Sequence, residues 1–268
     1  MSPVKQPHAA NENVLLRDDR DGVVTLTLNR PAQFNALSAE MLAALQASLD
    51  DLAGDEGVRC VVLAASGRAF CAGHDLKEMR AHPCQDDYEA LFARCSRVMQ
   101  SIVGLPVPVV ARVQGLATAA GCQLVASCDL AVAAESARFA VSGIDVGLFC
   151  STPAVALSRN VSPKHAFDML VTGRFISAAE ALSYGLVSRM APDAGLDEAV
   201  TALAAEICSK SPVAVRTGKA MFGRQRAMSL KEAYAFAGNV MAGNMMAEDA
   251  AEGIDAFIAK RKPVWTGR

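Results

Sequence analysis

The stretch VPVVARVQGLATAAGCQLVASCDLAVAA, residues 107–134, decides the fold. Residues 107–113 are an apolar run of strand length. Gly115 and a set of small residues follow, a short helix opens near Gly121, and a second apolar strand starts at Asp129. A strand that hands the chain to a helix through Ala117, Thr118, Ala119, Ala120 and Gly121 leaves the first helical N–H groups without intrahelical partners. No bulky side chain covers them, so such a turn can hold a negative oxygen, although it equally suits close packing of a helix on a sheet.

Upstream, the pattern repeats. Residues 23–29 (VVTLTLN) alternate apolar and Thr as a half-buried strand does, and Asp21-Gly22 before them suits a hairpin turn from a strand near residues 14–17. Ser38 caps a helix whose Met41, Leu42, Leu45, Leu49 and Leu52 follow helical spacing, closed by Gly54 and Gly57. Residues 58–65 (VRCVVLAA) are continuously apolar, the mark of a strand covered on both faces. Next comes SGRAFCAGHDLKEM, residues 66–79, where Gly73 permits unusual backbone geometry and residues 75–79 read as the first turn of a helix. Two strand-to-helix turns therefore offer free donors. In an open α/β layer ligands sit beyond the carboxyl ends of the strands, so both turns can face one pocket. Two N–H groups converging on one carbonyl oxygen form an oxyanion hole.

Composition narrows the class. Of 268 residues, 52% are hydrophobic and 5% aromatic, which points to an Ala/Val/Leu-rich α/β protein with a sizeable core. A net charge of −2 gives no basic footprint for nucleic acid. The eight cysteines are scattered singly without a C-x-x-C pair, as buried thiols in a reducing compartment would be. His82-Pro83-Cys84 lacks further ligands, so no metal site is expected. The first 13 residues are polar, and no long apolar run follows, so the expectation is a soluble, cytoplasmic protein without membrane contact.

The C-terminal part reads as helices: from Ser162-Pro163 to Thr172-Gly173, a capping box at Ser177 and Glu180 closed by Gly185, a strand over residues 186–190, then residues 196–209, 212–222, 229–245 and 247–260. Ser229 and Glu232 form a second capping box. Met241, Met245 and Met246 read as packing rather than as a cofactor site.

These marks resemble the crotonase superfamily, the enoyl-CoA hydratase/isomerase family, over nearly the whole chain. They are Arg30-Pro31 with Asn35-Ala36-Leu37, Phe70-Cys71-Ala72-Gly73-His74-Asp75-Leu76, Gly115 to Asp129, and Leu170-Thr172-Gly173 with Ala178, Ala181 and Gly185-Leu186-Val187. One branch is matched further, through Gly73 to Glu78, Ala119 to Leu124 and Val146 to Pro153. The resemblance implies an α/β crotonase spiral of β-β-α turns with a helical C-terminal region. Its parts would be a tail (1–13), a spiral core (14–195) and a trimerisation region (196–268), assembled as a homotrimer or hexamer. It also implies an acyl-CoA thioester as ligand, with coenzyme A part of the substrate and no separate cofactor.

Carried over residue by residue, the resemblance puts the oxyanion donors on the backbone of His74 and Ala120. The His74 imidazole is a further acid–base candidate. Lys77 and Lys260 would approach the CoA phosphates, while Ala72, Asp75 and Leu76 would line the adenine pocket. The two glutamates that a hydratase of this family uses fall at Gln123 and Gly143. Neither residue can carry a proton, so standard hydration and isomerisation are in doubt. Asp145 is a substitute if residues 143–145 are extended, since it would then share the face of Gly143. Cys150 and Ser151 lack a suitably spaced His as nucleophiles. Gln123 could hold a water or a substrate oxygen, and Gly143 would leave room for a bulkier acyl group. Three readings remain open: an enoyl-CoA hydratase-like enzyme, another crotonase reaction such as thioester hydrolysis, and a non-catalytic acyl-CoA binder.

Overall fold

The computed structural model describes residues 13–81 and 83–268, so the expected tail lies outside it except for Asn13, as does His82. Strands β1 (Leu15–Arg20) and β2 (Val23–Leu28) form the expected antiparallel hairpin. Its two turn residues, Asp21 and Gly22, have φ of 50° and 76°, as a twisted two-residue turn requires. Helix α1 (Ala39–Ala53) starts where the Ser38 hydroxyl accepts the Met41 N–H at 3.1 Å. Its buried residues are the five expected from spacing.

The chain then repeats one unit. The first turn is β3 (Cys60–Ala65), β4 (Ala69–Cys71), α2 (Leu76–Ala81) and α3 (Gln85–Gly104). The second is β5 (Val109–Val113), β6 (Leu116–Thr118) and α4 (Ala120–Ser127). The third is β7 (Leu130–Ala134), β8 (Arg138–Ala140), α5 (Ser151–Leu157) and α6 (Pro163–Thr172). Strand β9 (Ile176–Ser177), α7 (Ala178–Tyr184) and β10 (Arg189–Ala191) follow. One sheet has the order β1-β2-β3-β5-β7-β10 and the other β4-β6-β8-β9, so each turn gives a strand to both sheets. This is the expected spiral of strand-strand-helix turns.

The continuous apolar run of β3 has a period-two explanation. Val61, Leu63 and Ala65 join the large core with α1 and α3, while Cys60, Val62 and Ala64 pack against Val200, Leu203 and Ala204 of α8 (Leu196–Cys208). Helices α9 (Pro212–Gln225), α10 (Leu230–Asn244) and α11 (Glu248–Ile258) complete the C-terminal region. Both capping boxes are present, and Gly185 closes α7 in the left-handed conformation. Ser162 makes no side-chain cap, so α6 starts on its proline alone. The expected strand over residues 186–190 is shorter and later, at β10. The sequence reading assigns nothing to residues 80–106. Yet Cys95, Val98, Met99 and Ile102, buried on α3, have the spacing of a helix face. Among the described residues, no helix is long and apolar enough to cross a membrane.

Candidate active site

Two turns meet at the carboxyl ends of β4 and β6. A Cβ built on Gly73 (φ 96°) would lie 2.9 Å from the Ala119 Cβ, 3.3 Å from the Thr118 carbonyl oxygen and 3.4 Å from the Ala120 nitrogen. Glycine is thus required at 73 both for its backbone angle and for this contact. Gly121 is required more strictly, because its Cβ would fall 2.1 Å from the Cys71 carbonyl oxygen. Ala119, the residue before α4, has φ 49° and ψ −120°, a conformation costly for a residue with a side chain.

Among the described residues, neither the His74 N–H nor the Ala120 N–H donates a backbone hydrogen bond. Ala120 opens α4, where the first N–H has no intrahelical acceptor. His74 pairs with Leu37 as a parallel bridge, and the bonds run from Leu37 N–H to Gly73 O (2.8 Å) and from Asp75 N–H to Leu37 O (3.3 Å). His74's own N–H is left over. Both residues line one cavity of about 440 Å³. Its walls are largely apolar, with Leu76, Met79, Phe92, Val146, Leu148 and Phe149 among them, and none of its lining residues is Asp, Glu, Lys or Arg. Such a cavity can take an apolar chain whose carbonyl oxygen faces two backbone donors.

The remaining predicted positions divide. Ala72 and Leu76 line the cavity, and Asp75 does not. The Asp75 carboxylate caps α2 by accepting the Lys77 N–H (3.1 Å), and it pairs with Arg30. Lys77 and Lys260 are both exposed, neither lining the cavity. Gln123 is 4% exposed and also outside the lining, with its Oε1 buried and unpartnered.

Two expectations are corrected. Residues Ser142–Val146 form a 3-10 turn, so Asp145 does not share the face of Gly143. Its carboxylate lies against Gly173, 2.9 Å from where a Cβ would stand, and outside the cavity lining. Gly143 leaves no spare room either: a Cβ there would meet both the Cys150 Sγ and the Leu148 carbonyl oxygen at 2.6 Å. A thiol and a loop carbonyl occupy the space of the missing side chain.

Burial controls the titratable groups. It pushes the His74 imidazole below its ordinary range, against an opposing effect of the Leu37 backbone, so the ring is uncharged at neutral pH. Both ring nitrogens are buried without hydrogen-bond partners, and Phe92 meets the ring edge-on at 5.6 Å. Burial likewise raises Cys150, partly offset by the Gly143 backbone, and pushes Cys71 and Cys122 up to about 12. These thiols stay protonated and unreactive at neutral pH. Cys84 is exposed, and among the described residues no group of three or more His, Cys, Asp or Glu could hold a metal.

The sequence pattern does not pick out Met79, Phe92 and Ser142 as cavity residues, whereas Cys150, Ser151 and Thr152, expected near the pocket wall, do line it. Phe92 could have been found from the helical spacing of α3. Ser142, whose hydroxyl bonds Thr118 Oγ1 at the end of β6 at 2.8 Å, carries no sequence signal.

The fold and this pair of turns define a family. The family model described as Enoyl-CoA hydratase/isomerase matches residues 18–268, and the chain belongs to that family, within the crotonase superfamily. Inside it, the similarity runs to the branch of enoyl-CoA hydratase domain-containing protein 3, the branch whose additional marks the sequence carries. The Xenopus laevis protein of that name, called mitochondrial, is 46% identical over 259 residues, 97% of this chain and 88% of its own. The crystal structure of the human protein of that name superposes with a TM-score of 0.91 at 45% identity, covering 94% of this chain and 100% of that one. A crystal structure of an enoyl-CoA hydratase from Mycobacterium smegmatis reaches a TM-score of 0.94 at 62% identity, covering 95% of this chain and 99% of that one.

The expectation of a cytoplasmic location is corrected by these relatives, since the vertebrate proteins of that branch are named mitochondrial. Buried thiols do not by themselves name a compartment.

Proposed function

We propose that this chain binds an acyl-CoA thioester with its carbonyl oxygen between the N–H groups of His74 and Ala120, and that it stabilises the enolate or oxyanion formed there. The observation that carries this reading is the contact of Gly73 with Ala119 and Ala120. It sets two unpartnered donors on the wall of one apolar cavity. Coenzyme A enters as part of the substrate, with Lys77 and Lys260 as candidates for its phosphates. The setting is fatty-acid or acyl-CoA metabolism, and the enzyme class is the hydratase-like lyase of the family.

The two-glutamate route of hydration is in doubt, because neither Gln123 nor Gly143 carries a proton. Hydrolysis worked by Asp145 loses its support from the position of that carboxylate. The exposed apolar residues of the C-terminal helices, Phe222, Leu230, Tyr234, Met241, Met246 and Phe257, favour burial against further copies as a trimer or hexamer. Light scattering on the purified protein tests that assembly, and a monomer would refute it.

The decisive measurement compares the affinities of butyryl-CoA and S-butyl-CoA, a thioether without the carbonyl oxygen, by calorimetry. Two hydrogen bonds of about 1 kcal/mol each predict a preference of about tenfold or more for the thioester. Equal affinities would refute the carbonyl-binding role of His74 and Ala120, and no binding of either would refute the acyl-CoA reading. Loss of crotonyl-CoA absorbance under excess protein then reports hydration, which is expected to be slow or absent.

A further inference from the structure

The His74 N–H shares a peptide plane with the Gly73 carbonyl, and that carbonyl accepts the Leu37 N–H at 2.8 Å. The Leu37 N–H in turn shares a plane with the Ala36 carbonyl, which accepts Arg30 Nη1 at 2.9 Å. With no cis peptide bonds among the described residues, each plane carries its C=O and N–H in opposite directions. The result is a relay in one sense: guanidinium to Ala36 C=O, Leu37 N–H to Gly73 C=O, and His74 N–H outward. Hydrogen bonds in such a chain polarise one another, and a cation at the far end adds to the same direction.

The relay is held from both sides. Arg30 Nη2 reaches Asp75 Oδ2 at 3.3 Å, with the two side chains only 19% and 14% exposed, which spares the pair much of the screening that weakens surface ion pairs. Asn35, wholly buried, accepts the Arg30 N–H and donates to the carbonyls of Ser66 and Ala69, each at 2.8 Å. The Ala72 N–H donates to Phe34 O at 3.0 Å, and Glu78 Oε2 accepts the Ala39 N–H at 2.9 Å. Residues 30–39 thus form a template against which the turn at 72–78 is laid.

We propose that Arg30, braced by Asp75, is a positioning residue that aims and polarises the His74 N–H through two peptide planes. It touches no substrate. This role rests on the acyl-CoA reading given above. It accounts for the part-buried charge at Arg30, which is not among the residues lining the cavity and has a backbone carbonyl and one carboxylate as the partners of its guanidinium.

The test measures affinities for butyryl-CoA and S-butyl-CoA, and the carbonyl stretch of bound [1-¹³C]butyryl-CoA by isotope-edited infrared spectroscopy, in wild type, Arg30→Met, Arg30→Lys and Asp75→Asn. The wild type should prefer the thioester by about tenfold or more and shift its carbonyl to lower frequency. Arg30→Met should cut that preference to about threefold and lose much of the shift, with S-butyl-CoA affinity unchanged. Arg30→Lys, which keeps a cation for the Ala36 carbonyl, should restore part of both. A role confined to stability would lower the melting temperature and leave the frequency alone. A wild-type shift and preference in folded Arg30→Met overturn the proposal. If that variant fails to fold, wild-type values in both Arg30→Lys and Asp75→Asn overturn it instead. Equal affinity of wild type for the two ligands would overturn the carbonyl-binding role itself, and the relay with it.

Discussion

Replacing Gly143 by alanine is the sharpest test of the cavity wall. The added Cβ would stand 2.6 Å from both the Cys150 Sγ and the Leu148 carbonyl oxygen, about 1 Å inside ordinary contact. The sulfur sits on a side chain that can turn. The oxygen belongs to a loop closed by the bond from Leu148 N–H to Gly143 O at 2.9 Å, so it can retreat only by opening that loop. Overpacking costs about 1–3 kcal/mol and the loop hydrogen bond about 1 kcal/mol more, giving a destabilisation of about 2–4 kcal/mol. For a chain of this size that is a fall in Tm of roughly 4–8 °C. Thermal unfolding followed by circular dichroism measures it. Adding Cys150→Gly removes one of the two contacts, so the pair should couple favourably by about 1 kcal/mol in a double-mutant cycle. A Gly143→Ala protein melting within about 1 °C of wild type would refute the reasoning. The same two contacts stand in the way of the Cβ of a glutamate at 143.

Ala119→Gly relieves a backbone angle worth about 1–3 kcal/mol of strain against an unfolded-state entropy cost of about 0.4–1 kcal/mol, so Tm should rise by a few degrees. A fall would mean that the side chain packs more favourably than its angle costs. Gln123→Glu buries a carboxyl at a position 4% exposed, which raises its pKa above the unfolded value. A raised carboxyl costs stability as pH rises, about 1.4 kcal/mol per unit of raise, so the variant should match wild type near pH 4 and melt lower at pH 8. A pH-independent difference would show that the carboxylate finds a partner. The Glu180 carboxyl is held down to about 2, first by the Ser177 N–H and then by Arg174 and the Ser177 hydroxyl. A depressed carboxyl gives stability above its unfolded pKa that is lost as pH falls, so the Tm gap between wild type and Glu180→Gln should close between about pH 4.5 and pH 2. A gap that persists at pH 2 would refute the assignment.

Much of the fold was legible because its signals are local. The spacing of Met41, Leu42, Leu45, Leu49 and Leu52 marked α1, the capping boxes marked α7 and α10, and Asp21-Gly22 marked the first hairpin. Strands β4, β6 and β8 have three residues each, too few for a period to show, so in the sequence they pass as parts of turns. Of the site, the two small-residue turns were readable, since a helix start announces its own free N–H groups. Asp145 was misplaced because residues 142–146 wind into a 3-10 turn, and two residues along such a turn do not share a face.

By itself the sequence determined the longer strands and the capped helices, the two small-residue turns, the absence of a proton-carrying side chain at Gln123 and Gly143, and the family. These follow from residue type and spacing over a few positions. Tertiary structure alone decided that the two turns touch at Gly73, that Cys150 fills the space beside Gly143, and that Arg30 meets Ala36 and Asp75 behind the His74 N–H. Those contacts join residues from separate turns of the spiral or from opposite sides of one loop. Their geometry depends on how the strands register and the helices pack, which no local pattern in the chain specifies.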